Sequence, residues 1–245
     1  MLRTVAIIQA RMSSTRLPGK VLKDIAGKSM LAWVTTRVRR ASFVTQVVVA
    51  TTTGPMDDAI VDECRRLDVA FHRGSELDVL DRYYRAAREN DADVVVRITS
   101  DCPLIDPLEI ERVANDFHAA SPSYASNAIM PGHLRGLDTE VMTMDSLSRA
   151  WREARHEFHR VHVTPYIYQN PHLFRILPTP LPVDRDVSAL RWTVDTQEDL
   201  DMIRALCAEH HGDDFGWRDA LATVDRLPAL VEMNGHVRQK RLEEG

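Results

Sequence analysis

The chain has 245 residues, which fits one α/β domain with at most a small elaboration and excludes a string of modules. Its 44% hydrophobic and 27% charged residues, with no low-complexity tract, exclude extended disorder, and a net charge of −5 argues against a sequence-independent grip on DNA or RNA. No apolar stretch reaches the roughly 18 residues that span a bilayer and the amino end lacks a secretory pattern, so no membrane partner and a cytoplasmic location are expected.

The first element is an apolar run, residues 4–9, which reads as a buried strand and breaks at once into Ala10-Arg11-Met12-Ser13-Ser14-Thr15-Arg16-Leu17-Pro18-Gly19-Lys20. Such a loop suits a polyphosphate. Backbone N–H groups and the hydroxyls of Ser13, Ser14 and Thr15 are neutral donors, while Arg11, Arg16 and Lys20 supply the charge that phosphate oxygens require. Between residues 10 and 28 the cations Arg11, Arg16, Lys20, Lys23 and Lys28 face Asp24 alone, so the basic loop is a local feature on an acidic background. It is not a Walker P-loop, because Gly19 stands eight positions before Gly27, where that motif requires five.

Downstream, Ser29 is placed to cap a helix running to about residue 40, with Leu31, Val34 and Val38 at helical spacing. Strands are predicted at 46–51, 69–72 and 93–99, and helices at 57–67 and 77–89. This alternation indicates βαβ units, a parallel sheet with helices on both faces, and a ligand cleft beyond the carboxyl ends of the strands. The loops starting at Ala10, Thr52, Arg73 and Ser100 are expected to meet there. After Ser121 the regular pattern gives way, as far as Thr143, to Pro, Gly and short polar stretches that read as a substrate-facing insertion. Helices at 145–154 and 157–169, strands at 173–177 and 190–194, helices at 197–210 and 217–226, and a solvated tail from about Asn234 complete the chain.

Two later segments repeat one device, a carboxylate at the end of a short strand. In Arg97-Ile98-Thr99-Ser100-Asp101-Cys102-Pro103-Leu104-Ile105-Asp106, Pro103 stops the strand, Asp106 is read as a helix cap, and Asp101 is left to hold a divalent ion such as Mg²⁺. In Arg191-Trp192-Thr193-Val194-Asp195-Thr196-Gln197-Glu198-Asp199-Leu200, Thr196 and Asp199 form a capping box and Asp195 is left as a second metal carboxylate. Cys64, Cys102 and Cys207 show no CxxC pair and read as small buried fillers. His156, His159 and His162, at three-residue steps, drift round a helix and are read as solvated or interface histidines.

Taken together, residues 8–22, 73–83, 97–106, 136–141, 162–166 and 193–196 make the chain resemble the CMP-sugar cytidylyltransferases. The likeness is to their spore-coat polysaccharide biosynthesis branch, related to acylneuraminate and 3-deoxy-manno-octulosonate cytidylyltransferases. The resemblance implies a three-layer, Rossmann-like α/β fold of the GT-A-like nucleotidyltransferase type with a mostly parallel sheet. It also implies a single domain over residues 1–233, an acceptor- or dimer-facing insertion at about 121–172, a tail at 234–245, and a homodimer. The implied partners are CTP with Mg²⁺ and an acidic sugar or similar small anionic acceptor. By the same resemblance Arg11 and Lys20 are the catalytic cations on the triphosphate, and Asp101 and Asp195 hold the metal. Arg73, Ser75, Asp78 and Arg82 border the nucleotide, with Ala10, Ser13, Ser14, Thr15 and Arg16 from the loop, and Asp138, Glu140 and His162 face the acceptor.

The chain departs from the family pattern at Leu134-Arg135, where Pro-Asp is usual, and at Val161, where the pattern has an acid. Losing two acids and gaining Arg135 favours a more anionic acceptor. Two other readings stay open on the residues alone: a GT-A-like glycosyltransferase consuming a nucleotide sugar, and a non-catalytic nucleotide-binding protein.

Overall fold

The computed structural model describes residues 2–239. The first strand, β1 (Thr4–Gln9), lies in the interior of a seven-stranded sheet with β4 (Gln46–Thr52) on one side and β6 (Val94–Thr99) on the other, both parallel to it. β5 (Ala70–Gly74) continues the parallel set beyond β4. β8 (Glu140–Thr143) runs antiparallel to β6, and β7 (Tyr124–Ser126) and β9 (Ile176–Pro178) complete the order β5-β4-β1-β6-β8-β7-β9. A two-stranded hairpin, β2 (Asp24–Ile25) with β3 (Lys28–Ser29), precedes the first helix.

β1 is apolar along its length because both of its faces are covered, as in buried parallel sheets. Ala6 and Ile8 pack under α1 (Met30–Arg39), α2 (Asp58–Arg66) and α4 (Pro107–Ala120), through Leu31, Val34, Ile60, Ile110 and Val113. Val5 and Ile7 face the other layer, where α3 (Val79–Glu89), α5 (Met144–Glu153) and α7 (Pro165–Tyr168) contribute Leu80, Tyr83, Leu147 and Ile167. Each fully buried side chain of this size stabilises the fold by about 1.5–3 kcal/mol relative to exposure. A third cluster joins α8 (Gln197–Ala208), α9 (Trp217–Arg226) and α10 (Ala229–Asn234) to Trp33 and to Trp192 and Val194.

The predicted α/β alternation, with helices on both faces of a mostly parallel sheet, is the architecture observed. Ser29 caps α1 by accepting from Ala32 N at 3.0 Å, Asp106 caps α4 through Leu108 N and Glu109 N, and Thr196 with Asp199 forms the capping box of α8.

Several segments differ from expectation. The helix expected over 157–169 is two short ones, α6 (Glu157–His162) and α7, because Val163 leaves helical backbone at φ 74° and Pro165, which has no N–H to donate, starts a new helix at its first position. Residues 190–194 do not join the sheet. They run as an extended segment tied by Trp192 N to Arg135 O at 2.9 Å and by Val194 N to Asp101 O at 2.8 Å. The stretch read as an insertion supplies β7 and β8, whose brevity hides their alternation. The helix expected over 77–89 begins at Val79, and Leu77 before it is 75% exposed. Asn234, expected in a solvated tail, is buried, and residues 240–245 of that tail lie outside the described residues.

Gly136 makes the close approach between the 135–138 turn and the 191–195 segment possible. It sits at φ +105°, and a Cβ there would lie 2.6 Å from the Trp192 carbonyl carbon. Gly136→Ala is therefore expected to destabilise the fold by roughly 2–4 kcal/mol. Urea unfolding checks it: the midpoint drops at unchanged slope, and a midpoint equal to the wild type's would contradict the reading.

Candidate nucleotide site

The cleft opens over the carboxyl ends of β1 and β6, where Gln9 and Thr99 are register partners. It is a cavity of about 480 Å³, large enough for a nucleotide. Ala10, Arg11, Ser14, Thr15, Arg16 and Lys20 line one side. Ser100, Asp101 and Asp195 lie beyond them, and Arg97, Asp138 and Glu140 form the far part. Val79 and Arg82 of α3 and Val161 and His162 of α6 make a further wall.

The basic loop is held in shape by a buried acid that sequence reasoning did not single out. Asp57, 3% exposed, accepts from Met12 N at 2.7 Å with one oxygen and from Thr52 N and the Thr52 hydroxyl with the other. Gly19, at φ +68°, then closes the loop by donating to Met12 O at 3.0 Å. The loop ends in a single 3₁₀ turn, Lys20–Leu22, that directs Lys20 inward.

Lys20 Nζ donates to Asp101 Oδ2 at 2.9 Å, Asp195 Oδ1 at 2.8 Å and Val194 O at 2.7 Å. Burial alone would lower the Lys20 ammonium, but Asp101 and Asp195 outweigh it and hold its pKa above the ordinary lysine value. Burial likewise works to raise Asp195, and Lys20, Arg16 and Arg191 overcome it, bringing the carboxyl down to about 2.

The second oxygen of Asp195 meets Arg16 Nη2 at 2.8 Å and Arg191 Nη2 at 2.6 Å. Arg191 Nε donates to Asp199 Oδ1 at 2.9 Å, and Asp199 Oδ2 accepts from Asp195 N and Thr196 N at 2.9 and 3.0 Å. Asn234 Nδ2 closes this buried network, donating at 2.9 Å to both Arg191 O and Asp199 Oδ1. Gln9, Arg97, Gln239 and the Arg191 network had not been singled out as site residues, whereas Arg135, noted for the acceptor, does line the cavity. The four-residue steps from Arg191 through Asp195 to Asp199 are the signal that could have drawn attention to that network, whereas the capping box accounted for Asp199 by itself.

Four of the expected site residues stand outside the cavity lining. Ser13 donates to Glu76. Arg73 donates to Thr52 O, Gly54 O and Asp58, which fixes the loop after β4. The Ser75 hydroxyl accepts from Asp78 N, and Asp78 caps α3 and pairs with Arg160 at 2.5 Å.

At the far end, Glu140 is engaged by Arg97 and by the Tyr124 hydroxyl. Asp138 pairs with His133 Nε2 at 3.0 Å and accepts from Gly136 N. Burial works to raise Asp138, but His133, the Gly136 amide and Arg135 keep it below the usual carboxylate range. Cys102 is buried, and its thiol is pushed well up by burial, Asp101 and Asp138, so it acts as packing.

Comparison with known proteins agrees with this geometry. The cytidylyltransferase family model matches residues 5–233. The spore coat polysaccharide biosynthesis protein SpsF of Bacillus subtilis is 34% identical over 207 residues, covering 82% of this chain and 84% of that protein. A 3-deoxy-manno-octulosonate cytidylyltransferase of Trichlorobacter lovleyi is 31% identical over 255 aligned residues, covering 100% and 88%. The solved structure of a cytidylyltransferase from Leptospira borgpetersenii superposes with a TM-score of 0.90 at 28% identity, covering 98% of this chain and 100% of that one. A basic loop facing the carboxylates of Asp101 and Asp195 and a family match across nearly the whole sequence agree: the chain belongs to the cytidylyltransferase family.

Proposed function

We propose that this enzyme transfers a cytidylyl group from Mg²⁺·CTP to a hydroxyl of an acidic sugar or similar anionic acceptor, releasing pyrophosphate, in surface polysaccharide or glycoconjugate biosynthesis. The observation that carries the reading is the placement of Lys20 between Asp101 and Asp195, at the edge of a cavity lined by the 10–20 loop. The SpsF and 3-deoxy-manno-octulosonate relatives support the acceptor class.

The donor set fits a hard divalent cation. Two carboxylate oxygens and the Val194 carbonyl already converge on one cation, the Lys20 ammonium, at 2.7–2.9 Å. Among the described residues no group of three or more His, Cys, Asp or Glu side chains could hold a metal. Asp101 and Asp195 would therefore hold Mg²⁺ with phosphate and water oxygens completing its shell. Bound there, the ion supplies charge neutralisation to the phosphate oxygens.

Lys20 and Arg11 donate to the triphosphate and stabilise the charge that grows at the α-phosphate as the acceptor hydroxyl attacks in line. Asp57 and Gly19 keep the loop amides and the Ser14 and Thr15 hydroxyls in one arrangement, so positioning is set before substrate arrives. Asp138, Glu140 and His162 orient the acceptor. With its pKa held low by His133, Asp138 is suited to accept a hydrogen bond from that hydroxyl. Arg135, in the same part of the cavity, favours an anionic substituent.

A pyrophosphate-release screen tests the reading, pairing each of the four nucleoside triphosphates with nonulosonic acids, 3-deoxy-manno-octulosonate and phosphorylated small acids. Release is expected with CTP and one of the acids in the presence of Mg²⁺. Sugar transfer from a nucleotide sugar without pyrophosphate would reject it.

In the active pair, Lys20→Ala and Asp101→Asn, made separately, are each expected to lower kcat by roughly 10²–10³. Unchanged turnover in either would remove that residue from the chemistry.

The depressed Asp195 carboxyl gives an acid-stability signature. Its contribution is fully present above the ordinary Asp value of 3.8 and is lost as the pH falls towards about 2. Lys20→Met is expected to flatten the loss of unfolding free energy between pH 4 and 2, the same window, relative to the wild type. Parallel curves for the two proteins would show that Lys20 does not hold Asp195 down.

A further inference from the structure

Arg82 lines the cavity from α3 and is 2% exposed. Its Nη1 donates to Ser75 O at 2.9 Å, and its Nε has no hydrogen-bond partner. Among the described residues no carboxylate lies within 4.0 Å of its nitrogens. Other buried arginines are compensated. Arg37 gives Nε, Nη1 and Nη2 to the carbonyls of Ile105, Asp213 and Phe215, Arg97 faces Glu140, and Arg191 faces Asp199.

A guanidinium does not shed its proton near neutral pH, so burying one without an anion works against folding unless something else is gained. Here a second cation makes the position worse. Burial lowers the Arg82 pKa and, with the repulsion from Arg11, outweighs the opposing influence of Tyr83 and of the more distant Asp57 and Glu76. Arg11 itself is half exposed and only 3.6 Å from Glu76. Such a pairing of like charges at the wall of a cavity is accounted for by a ligand that brings the missing negative charge.

We propose that Arg82 anchors an oxyanion subsite, its guanidinium and Arg11 together receiving a phosphoryl or carboxylate group of a substrate. This rests on the cytidylyl-transfer reading above. The edge of a guanidinium offers two parallel donors matched to such a group. Its stem is fixed by Gly74, where a Cβ would meet Arg82 Cγ at 3.2 Å, and the neighbouring Val79 and Val161 make the surroundings apolar, which strengthens the pairing. The oxyanion has two sources, a phosphate of CTP or the anionic group of the acceptor, and kinetics separate them.

The experiment uses the full chain with Arg82→Gln and Arg82→Lys, and CTP with whichever acid supports pyrophosphate release. Arg82→Gln is expected to raise one KM by roughly ten- to hundredfold, with partial recovery in Arg82→Lys. A rise for CTP assigns a nucleotide phosphate, and a rise for the acid assigns its anionic group. Less than a tenfold rise in both overturns the proposal. A thermal scan without substrate distinguishes a structural arginine: Arg82→Gln is expected to melt no more than about 3 °C below the wild type. A larger fall overturns the proposal, because it shows that the guanidinium supports the fold in the ligand-free state. If the wild type itself releases no pyrophosphate with any pair, the transfer reading fails, and the proposed substrate with it.

Discussion

The cleft is organised round one buried ammonium. Lys20 satisfies Asp101, Asp195 and a main-chain carbonyl at once, and it is delivered by a loop from the first strand to acids that follow it by 81 and 175 residues. Without it, two carboxylates from different segments would face each other in a partly desolvated space, where like charges repel strongly. The ammonium thus joins three layers of the structure: the sheet through β1, the turn after β6, and the carboxyl-terminal cluster through residues 191–195. Since that last segment is held to the rest by main-chain hydrogen bonds rather than by a sheet ladder, the ion pairs also fix where it lies.

The charge distribution follows from the same arrangement. Cations crowd one loop, yet the structure spends much of that charge internally when no substrate is present: Arg16 and Lys20 on Asp195, Lys20 on Asp101, and Arg11 on Glu76. On the proposed reading a polyphosphate entering the cleft would exchange partners with carboxylates already in place. Such an exchange would temper affinity and favour ligands that can replace several contacts together.

Much of this was legible in the sequence because it depends on local rules. An apolar strand breaking into Ala10–Lys20, a Pro that stops the strand before Asp101, and the Thr196–Asp199 capping box all act over a few residues, so their positions survived folding unchanged. Arg73 and Asp78 were harder to place. The same hydrogen-bonding capacity that makes them candidates for a nucleotide is consumed by Gly54 O, Asp58 and Arg160, and only the packed structure shows that competition. Nothing local could have disclosed Asp57 or Asn234, because each works by filling a hydrogen-bonding gap in a remote segment. The two short strands β7 and β8, of three and four residues, are too brief for a period of two to stand out.

Asn234 ties the site to a distant part of the chain. Its amide holds the Arg191 carbonyl and Asp199, which in turn keep Asp195 facing Lys20, and Gln239 accepts from Arg191 a few residues further on. The basic loop and this support lie far apart in sequence, so the cleft is finished only when both segments have docked, and a local opening of α10 would loosen the carboxylate that faces the loop without unfolding the sheet.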